Sequence, residues 1–134
     1  DVTEENLLAF QAPLIVQKLA SQNEQIIKQG FYSQSLDANF SFDSKDQDNI
    51  SQELTLLTAG LAEAQHEWNT VDKGVIYMSD EQFRTFCVEA GAHKRFHMSR
   101  YWRIKDKVLN CTSLECLHRL DDIETAEDIL DSYA

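Results

Sequence analysis

The sequence predicts an α+β domain that is mostly helical, with a small antiparallel sheet packed on one long helix. Three observations lead to this prediction. Apolar residues recur at helical spacing over residues 80–110. The period changes to two near residues 32–42, which is typical of a half-buried strand. Residues 67–78 have the pattern of a β-hairpin, because Gly74 supplies the positive φ that the turn of such hairpins needs.

The first predicted element is a helix over residues 3–29. Pro13 lacks a backbone donor and is expected to kink or divide this helix, and Gly30 is expected to end it. The polar residues 21–25 weaken the middle of the apolar stripe. We therefore expect residues 1–29 to form an arm that is separate from the core. The stripe consists of Leu7, Leu8, Leu14, Ile15, Leu19, Ile26 and Ile27.

Strand and helix patterns alternate in the middle of the chain. The segment 32–42 is either one half-buried strand or a hairpin with its tip near residues 37–39. Ser44 and Gln47 form a capping box, so a helix is predicted over residues 45–65. The residues of the strand segment that share one face are Tyr32, Leu36, Ala38, Phe40 and Phe42.

The long helix is predicted to begin after a capping box formed by Ser79 and Gln82. Trp68 of the hairpin is expected to pack on this helix, at the centre of the core. A further capping box at Thr112 predicts a short last helix. The face of the long helix that is expected to be buried carries Phe83, Phe86, Ala90, His97, Tyr101, Ile104 and Val108.

The composition is that of one folded domain with an excess of acidic residues. The chain has 134 residues, of which 43% are hydrophobic, and a formal net charge of −11. Such a charge repels phosphates, so no nucleic-acid partner is expected. Apolar runs fall short of the roughly 20 residues of a transmembrane helix, so no membrane partner is expected. The first residues lack a signal-peptide pattern, so secretion by that route is not expected.

The charged residues are unevenly distributed along the chain. Residues 94–107 are mainly basic, whereas residues 121–134 contain six acidic residues and no basic ones. Arg100, Arg103 and Lys107 are the candidate partner-binding residues. Two alternatives remain open: the acidic segment of the same chain docks on them, or another protein binds them. These patterns divide the chain into an N-terminal helical arm over 1–29, an α+β core over 30–120 and an acidic tail over 121–134.

Metal-site and catalytic patterns are weak in this sequence. His93 and His97 stand four apart on the long helix, with Glu89 one turn earlier. Zinc proteases place a glutamate directly after the first histidine, where this chain has Lys94. We therefore expect His97 to be a partly buried, hydrogen-bonded residue. The three cysteines lack a zinc-type spacing and are expected to be reduced thiols. No metal, no cofactor and no catalytic residue is predicted, and the chain is not expected to be an enzyme.

Four short motifs follow one another in a recognisable order. They are Phe40-Ser41-Phe42-Asp43, Gln47-Asp48-Asn49-Ile50, Trp68-Asn69-Thr70 with Gly74, and Met78-Ser79-Asp80-Glu81-Gln82-Phe83. This order, over residues 30–120, resembles a phage-encoded family of unknown function whose members are found in or beside tail-fibre assembly and other tail proteins. The family has small residues on the long helix where this chain has Phe86, Phe96, Tyr101 and Trp102.

The resemblance implies a non-enzymatic phage or prophage tail component, or a tail-assembly factor, that acts through protein–protein contacts. The expected partners are other phage tail proteins. A homo-oligomer through the N-terminal arm is also expected, because short helices need a surface on which to pack. The expected location is the virion, or the host cytoplasm during assembly. The alternative is an acidic phage-encoded inhibitor that mimics nucleic acid or blocks a host protein, for which the net charge of −11 is the motivation.

Overall fold

The structure is a computed structural model that describes residues 3–126, and the chain divides into two compact units. The first unit contains the chain up to Gln25 and again from Phe96 onward, and the second unit contains Ile26–Arg95. The division predicted from the sequence, with its arm, core and acidic tail, stays a prediction. Residues 127–134 of that tail lie outside the described residues.

Helices dominate the described residues, and two small antiparallel hairpins accompany them. The hairpins pack on the longest helix through aromatic side chains, so the predicted α+β fold class is confirmed. Every helix within residues 3–126 is too short or too polar to span a bilayer. The helices are α1 (Glu4–Lys28), α2 (Ser44–Thr58), α3 (Asp80–Leu109) and α4 (Leu114–Arg119). The strands are β1 (Phe31–Ser33), β2 (Ala38–Phe40), β3 (His66–Asn69) and β4 (Val75–Met78).

The first helix runs through its proline without a break. Of the two predicted effects of Pro13, division of the helix is wrong, since α1 is continuous from Glu4 to Lys28, and a kink stays a prediction. Pro13 removes one backbone donor, but its ring is exposed, and α1 continues for fifteen residues beyond it, far enough to bury Leu19. Gly30 ends the helix as predicted, with a φ of 103°.

Helix α1 belongs to the first unit up to Gln25, and its residues 26–28 belong to the second unit. Leu19 is fully buried. Gln22 accepts a hydrogen bond from the backbone of Ile123 at 2.9 Å, and Glu4 accepts one from the backbone of Leu114 at 3.1 Å. The acidic segment 121–134 therefore already contacts α1 within the described residues, through Ile123. The other buried residues of this unit are Asn23, Tyr101, Ile104, Val108, Leu117, Leu120, Ile123 and Ala126.

A disulfide joins Cys111 to Cys116 in the first unit, so the prediction that all cysteines are reduced is wrong. The two cysteines flank the turn between α3 and α4, which their spacing in the sequence does not reveal. Ser113 caps α4 by accepting a hydrogen bond from the backbone of Cys116 at 3.1 Å. This turn brings the two cysteine Cα atoms to 5.7 Å, a separation that a disulfide spans. Cys87 remains a free thiol.

The segment 32–42 forms the hairpin alternative, but the predicted tip near residues 37–39 is wrong, because residues 38 and 39 belong to β2 and the turn is at residues 34–37. The expectation that Tyr32 shares a face with Ala38 and Phe40 is wrong, because Tyr32 is exposed and Ser33 is buried. A four-residue turn connects the strands, so the alternation of the first strand does not continue into the second. Ser33 is the residue that pairs with Ala38 on the buried face.

Side-chain caps set the helix starts. At α3 the predicted capping box is present: the backbone of Ser79 donates to Gln82 at 2.8 Å, and the backbone of Gln82 donates back at 3.2 Å. At α2 the predicted box is wrong by one residue, because Asp43 and Asp46 form it. Asp caps as well as Ser does, and it stands one position earlier. Ser113 likewise replaces the predicted cap of α4.

An aromatic cluster fills the second unit. The ring of Phe86 lies 4.6 Å from Phe40, 5.8 Å from Phe31 and 5.8 Å from Trp68, between ring centroids. Phe83 lies 5.5 Å from Trp68 and 5.9 Å from Phe86. The predicted packing of Trp68 with Phe83 and Phe86 is confirmed. One residue of α3, Phe86, thus contacts both hairpins.

Candidate functional site

A buried histidine between two carboxylates is the most distinctive polar group of the second unit. The His66 side chain is 0% exposed. Its Nδ1 lies 2.7 Å from Oε1 of Glu53 on α2, and its Nε2 lies 2.8 Å from Oδ1 of Asp80 on α3. The ring stacks on Phe83 with centroids 4.7 Å apart. Three elements, α2, β3 and α3, therefore meet at one imidazole.

This geometry favours the doubly protonated, cationic ring of His66. Ionised carboxylates only accept hydrogen bonds, so each ring nitrogen needs its own proton to satisfy Glu53 and Asp80 together. Burial disfavours the charged form. The hydrogen bonds to Asp80 and Glu53 outweigh burial, however, and raise the pKa of His66 above its ordinary value.

The position of His66 follows from local sequence. Along β3 the side chains alternate, and His66 and Trp68 share the inward face while Glu67 and Asn69 point outward. Asp80 is the first residue of α3 and comes directly after the cap Ser79. A carboxylate in the first turn is favoured by the helix dipole.

A cleft lies beside this histidine, between α2 and β3. Its volume is about 380 Å³. The carboxylate of Glu53, which binds His66, also lines this cleft, so the buried ring and the cleft share one side chain. The other lining residues are Ser41, Asp46, Asn49, Gln52, Leu56, Glu67, Trp68 and Asn69. We call this the α2–β3 cleft.

A second carboxylate, Glu89, holds the other hairpin. Ser33 and Ser35 donate their hydroxyls to Oε1 of Glu89, both at 2.7 Å, and the backbone of Ser35 donates to Oε2 at 3.1 Å. Partial burial works against the charged form. The donated hydrogen bonds outweigh burial and lower the pKa of Glu89.

The candidate partner-binding residues Arg100, Arg103 and Lys107 all lie on α3 in the first unit. Arg103 is exposed, whereas Arg100 and Lys107 are half-buried. Arg103 donates to the hydroxyl of Ser99 at 3.3 Å. Binding of a partner or of the acidic tail to these residues stays a prediction, and tail residues 127–134 lie outside the described range.

The two histidines singled out in the sequence have different surroundings. His93 donates from Nε2 to the carbonyl of Ile27 at 3.0 Å and stacks on Phe31 with centroids 5.4 Å apart. His97 is half-buried, as predicted, beside the ring of Phe96. Among residues 3–126, no group of three or more His, Cys, Asp or Glu side chains is arranged to hold a metal ion. The absence of a metal and of a cofactor stays a prediction.

His66 was missed in the sequence because its partners stand 13 and 14 residues away on two helices. A usable pattern was present. His66 has the same parity as Trp68 in a predicted hairpin, and a histidine on the inward face of a strand must find hydrogen-bond partners. The capped helix start at Ser79 places Asp80 where such a partner can stand.

A family match extends over most of this architecture. Residues 11–131 match a domain of unknown function, DUF4376. The chain belongs to the DUF4376 family. The match begins within α1, so the family pattern is wider than the 30–120 span expected from the sequence motifs and includes most of the predicted arm. Neither a curated protein nor a solved structure matches the chain.

Proposed function

We propose that this DUF4376 domain is a non-enzymatic component of a phage or prophage tail, or a factor in its assembly. It acts through protein–protein contacts in the virion or in the host cytoplasm during assembly. The observation that supports a contact function is the outer face of the β3–β4 hairpin. The phage assignment is supported by the order of the four sequence motifs described above.

The outer face of this hairpin exposes large apolar side chains beside polar ones. Tyr77 is 61% exposed and pairs across the strands with Glu67, and Val75 is 51% exposed and pairs with Asn69. Glu67 and Asn69 also line the α2–β3 cleft. The apolar face and the cleft are therefore continuous, and together they form the contact face. A surface of this mixed kind suits a protein partner.

Three of the described groups that could act as nucleophile or base are held in structural roles, which supports a non-enzymatic function. Burial raises the pKa of the Cys87 thiol to about 11, so it stays protonated near neutral pH. The carboxylate of Glu89 is occupied by Ser33 and Ser35. The ring of His66 uses both nitrogens to join secondary-structure elements.

Photo-crosslinking in producing cells tests the proposal. A photoreactive amino acid replaces Tyr77 in the full chain, and crosslinked products are identified by mass spectrometry while phage particles are being made. The expected product is a crosslink to a phage tail protein. The matched control carries the same photoreactive group at Val88, which is 71% exposed on α3 and outside the contact face. It is expected to give no such product.

The second candidate function, an acidic phage-encoded inhibitor, predicts another outcome. The net charge of −11 favours it, and so do the carboxylates of Asp46, Glu53 and Glu67 in the cleft. A crosslink from Tyr77 to a host protein, without a tail protein, would support the inhibitor and overturn the tail proposal. Equal products from Tyr77 and Val88 would show that the contact face is not selective.

A further inference from the structure

We propose that His66 is a pH-operated latch that holds the β3–β4 hairpin to the first turn of α3 and releases it as the pH rises. This inference goes beyond the proposed contact function and does not depend on it. It rests on the two hydrogen bonds that a single buried ring makes to carboxylates on different helices. Both bonds can be donated only while the ring carries two protons.

Loss of one proton leaves one ring nitrogen with a lone pair that faces a carboxylate oxygen. Two acceptors at 2.7–2.8 Å repel each other, so one carboxylate must turn away. Asp80 is the one that can leave, because its side chain is 57% exposed and can be hydrated. Glu53 is 25% exposed and lies within the α2–β3 cleft, so it keeps the remaining proton donor of His66.

The groups around the ring fix the direction of the switch. Glu53 faces it from α2 and Asp80 from α3, and both are acidic. Phe83 of α3 stacks on the ring, and Met78 is its cross-strand partner on β4; neither titrates. Burial of the ring opposes its charged form, but the hydrogen bonds to the two carboxylates outweigh burial, so the pKa of His66 in the folded chain lies above its unfolded value of 6.5. The latch is therefore closed below pH 6.5 and opens as the pH rises through the folded pKa.

Loss of the proton from His66 is expected to loosen the β3–β4 hairpin and to leave the β1–β2 hairpin unchanged. The β1–β2 hairpin is held by hydroxyl donors of Ser33 and Ser35, which do not titrate in this range. Each molecule therefore contains an internal reference for the pH response of β3–β4. Both hairpins lie in the second unit, so one sample reports both.

Nuclear magnetic resonance on the full chain provides the test. The ring of His66 is titrated directly, and amide hydrogen exchange in β3–β4 is followed from pH 6 to 9 after correction for intrinsic exchange. One pH unit above the folded pKa the neutral ring outnumbers the charged ring about tenfold. As the ring loses its proton, we expect protection in β3–β4 to fall about tenfold for each pH unit by which the folded pKa of His66 exceeds its unfolded value, while protection in β1–β2 stays constant.

Two substitutions in the first turn of α3 separate the latch from a general effect on the helix. Asp80→Ala, which removes the hydrogen-bond partner of His66 Nε2 on α3, should hold β3–β4 at the low protection of the alkaline form at every pH, and it should lower the pKa of His66. Glu81→Gln, at an exposed neighbour, should behave like the unaltered chain. The proposal is overturned if His66 titrates at or below pH 6.5, or if the protection of the two hairpins changes in parallel with pH.

Discussion

The two hairpins of the second unit each bury a polar side chain, but they satisfy its hydrogen bonds with different chemical groups. Each buries a polar side chain on its inward face, Ser33 in β1 and His66 in β3, and each binds it to a carboxylate of α3. The first hairpin uses neutral hydroxyl donors on Glu89. The second uses a titratable ring on Asp80 and Glu53. The difference shows that burial of a polar group requires a partner but leaves open which member of the pair responds to pH.

The pH responses of the two anchors have opposite signs. Glu89 has a lowered pKa, so its stabilising effect is present above its unfolded pKa and is lost as the pH falls. His66 has a raised pKa, so its effect is present at low pH and is lost as the pH rises. The second unit is therefore expected to be most stable between these two limits.

The largest effect is expected from substitution of Phe86, whose ring contacts both hairpins. Phe86→Ala should lower the free energy of unfolding by about 3–5 kcal/mol, because a fully buried ring is replaced by a cavity. Its contacts with Phe40 and Trp68 should be lost together, so amide protection should fall in both hairpins. Urea unfolding and hydrogen exchange measure this. Loss of protection in only one hairpin would contradict a shared core.

The next effect concerns two glycines: Gly30, which precedes the first hairpin, and Gly74, which lies in the turn of the second. A Cβ at Gly30 would lie 2.1 Å from the backbone oxygen of Phe40, and its φ is 103°. Gly30→Ala should therefore cost more than about 2 kcal/mol. Gly74 has a φ of 70° and open space around it, so Gly74→Ala should cost about 1 kcal/mol. Thermal melts compare them, and equal costs would contradict the close approach at Gly30.

A smaller effect tests the anchor of the first hairpin. Glu89→Gln should cost about 1–2 kcal/mol at neutral pH, because it weakens charge-assisted hydrogen bonds from Ser33 and Ser35. The cost should shrink below pH 4.5, where the carboxylate begins to lose its advantage over the unfolded chain. Urea unfolding across pH measures this. A cost that is independent of pH would show that the charge of Glu89 is not what holds the hairpin.

The smallest effect concerns the link between the hairpins. Asp72 accepts hydrogen bonds from the backbone and the side chain of Asn39 at 2.8 and 2.9 Å, and Val71 donates to the carbonyl of Asn39 at 2.8 Å. This exposed link should contribute little to global stability. Asp72→Ala should speed hydrogen exchange at Asn39 and leave the melting temperature nearly unchanged. Unaltered exchange at Asn39 would show that the link does not persist in solution.

The sequence predicted best what local chemistry determines. The start of α3 follows from the reciprocal cap of Ser79 and Gln82, and its buried face follows from spacing. The first hairpin was harder, because a four-residue turn ends the alternation that made Tyr32 look buried. The site around His66 depends on contacts between elements distant in sequence. The parity of His66 shows that it needs a partner and the cap at Ser79 points to Asp80, but no local pattern points to Glu53, which stands on another helix.

The disulfide and the buried thiol together have a practical consequence. Cys111 and Cys116 are paired, so Cys87 is the single thiol of the chain. With its pKa at about 11, roughly one molecule in ten thousand carries the thiolate at pH 7, about a hundred times fewer than for a cysteine with the ordinary pKa of 9.0. Alkylation of Cys87 should therefore be slow in the native chain and fast whenever this part of α3 opens. The reactivity of Cys87 can therefore report local opening of α3 without the introduction of another cysteine.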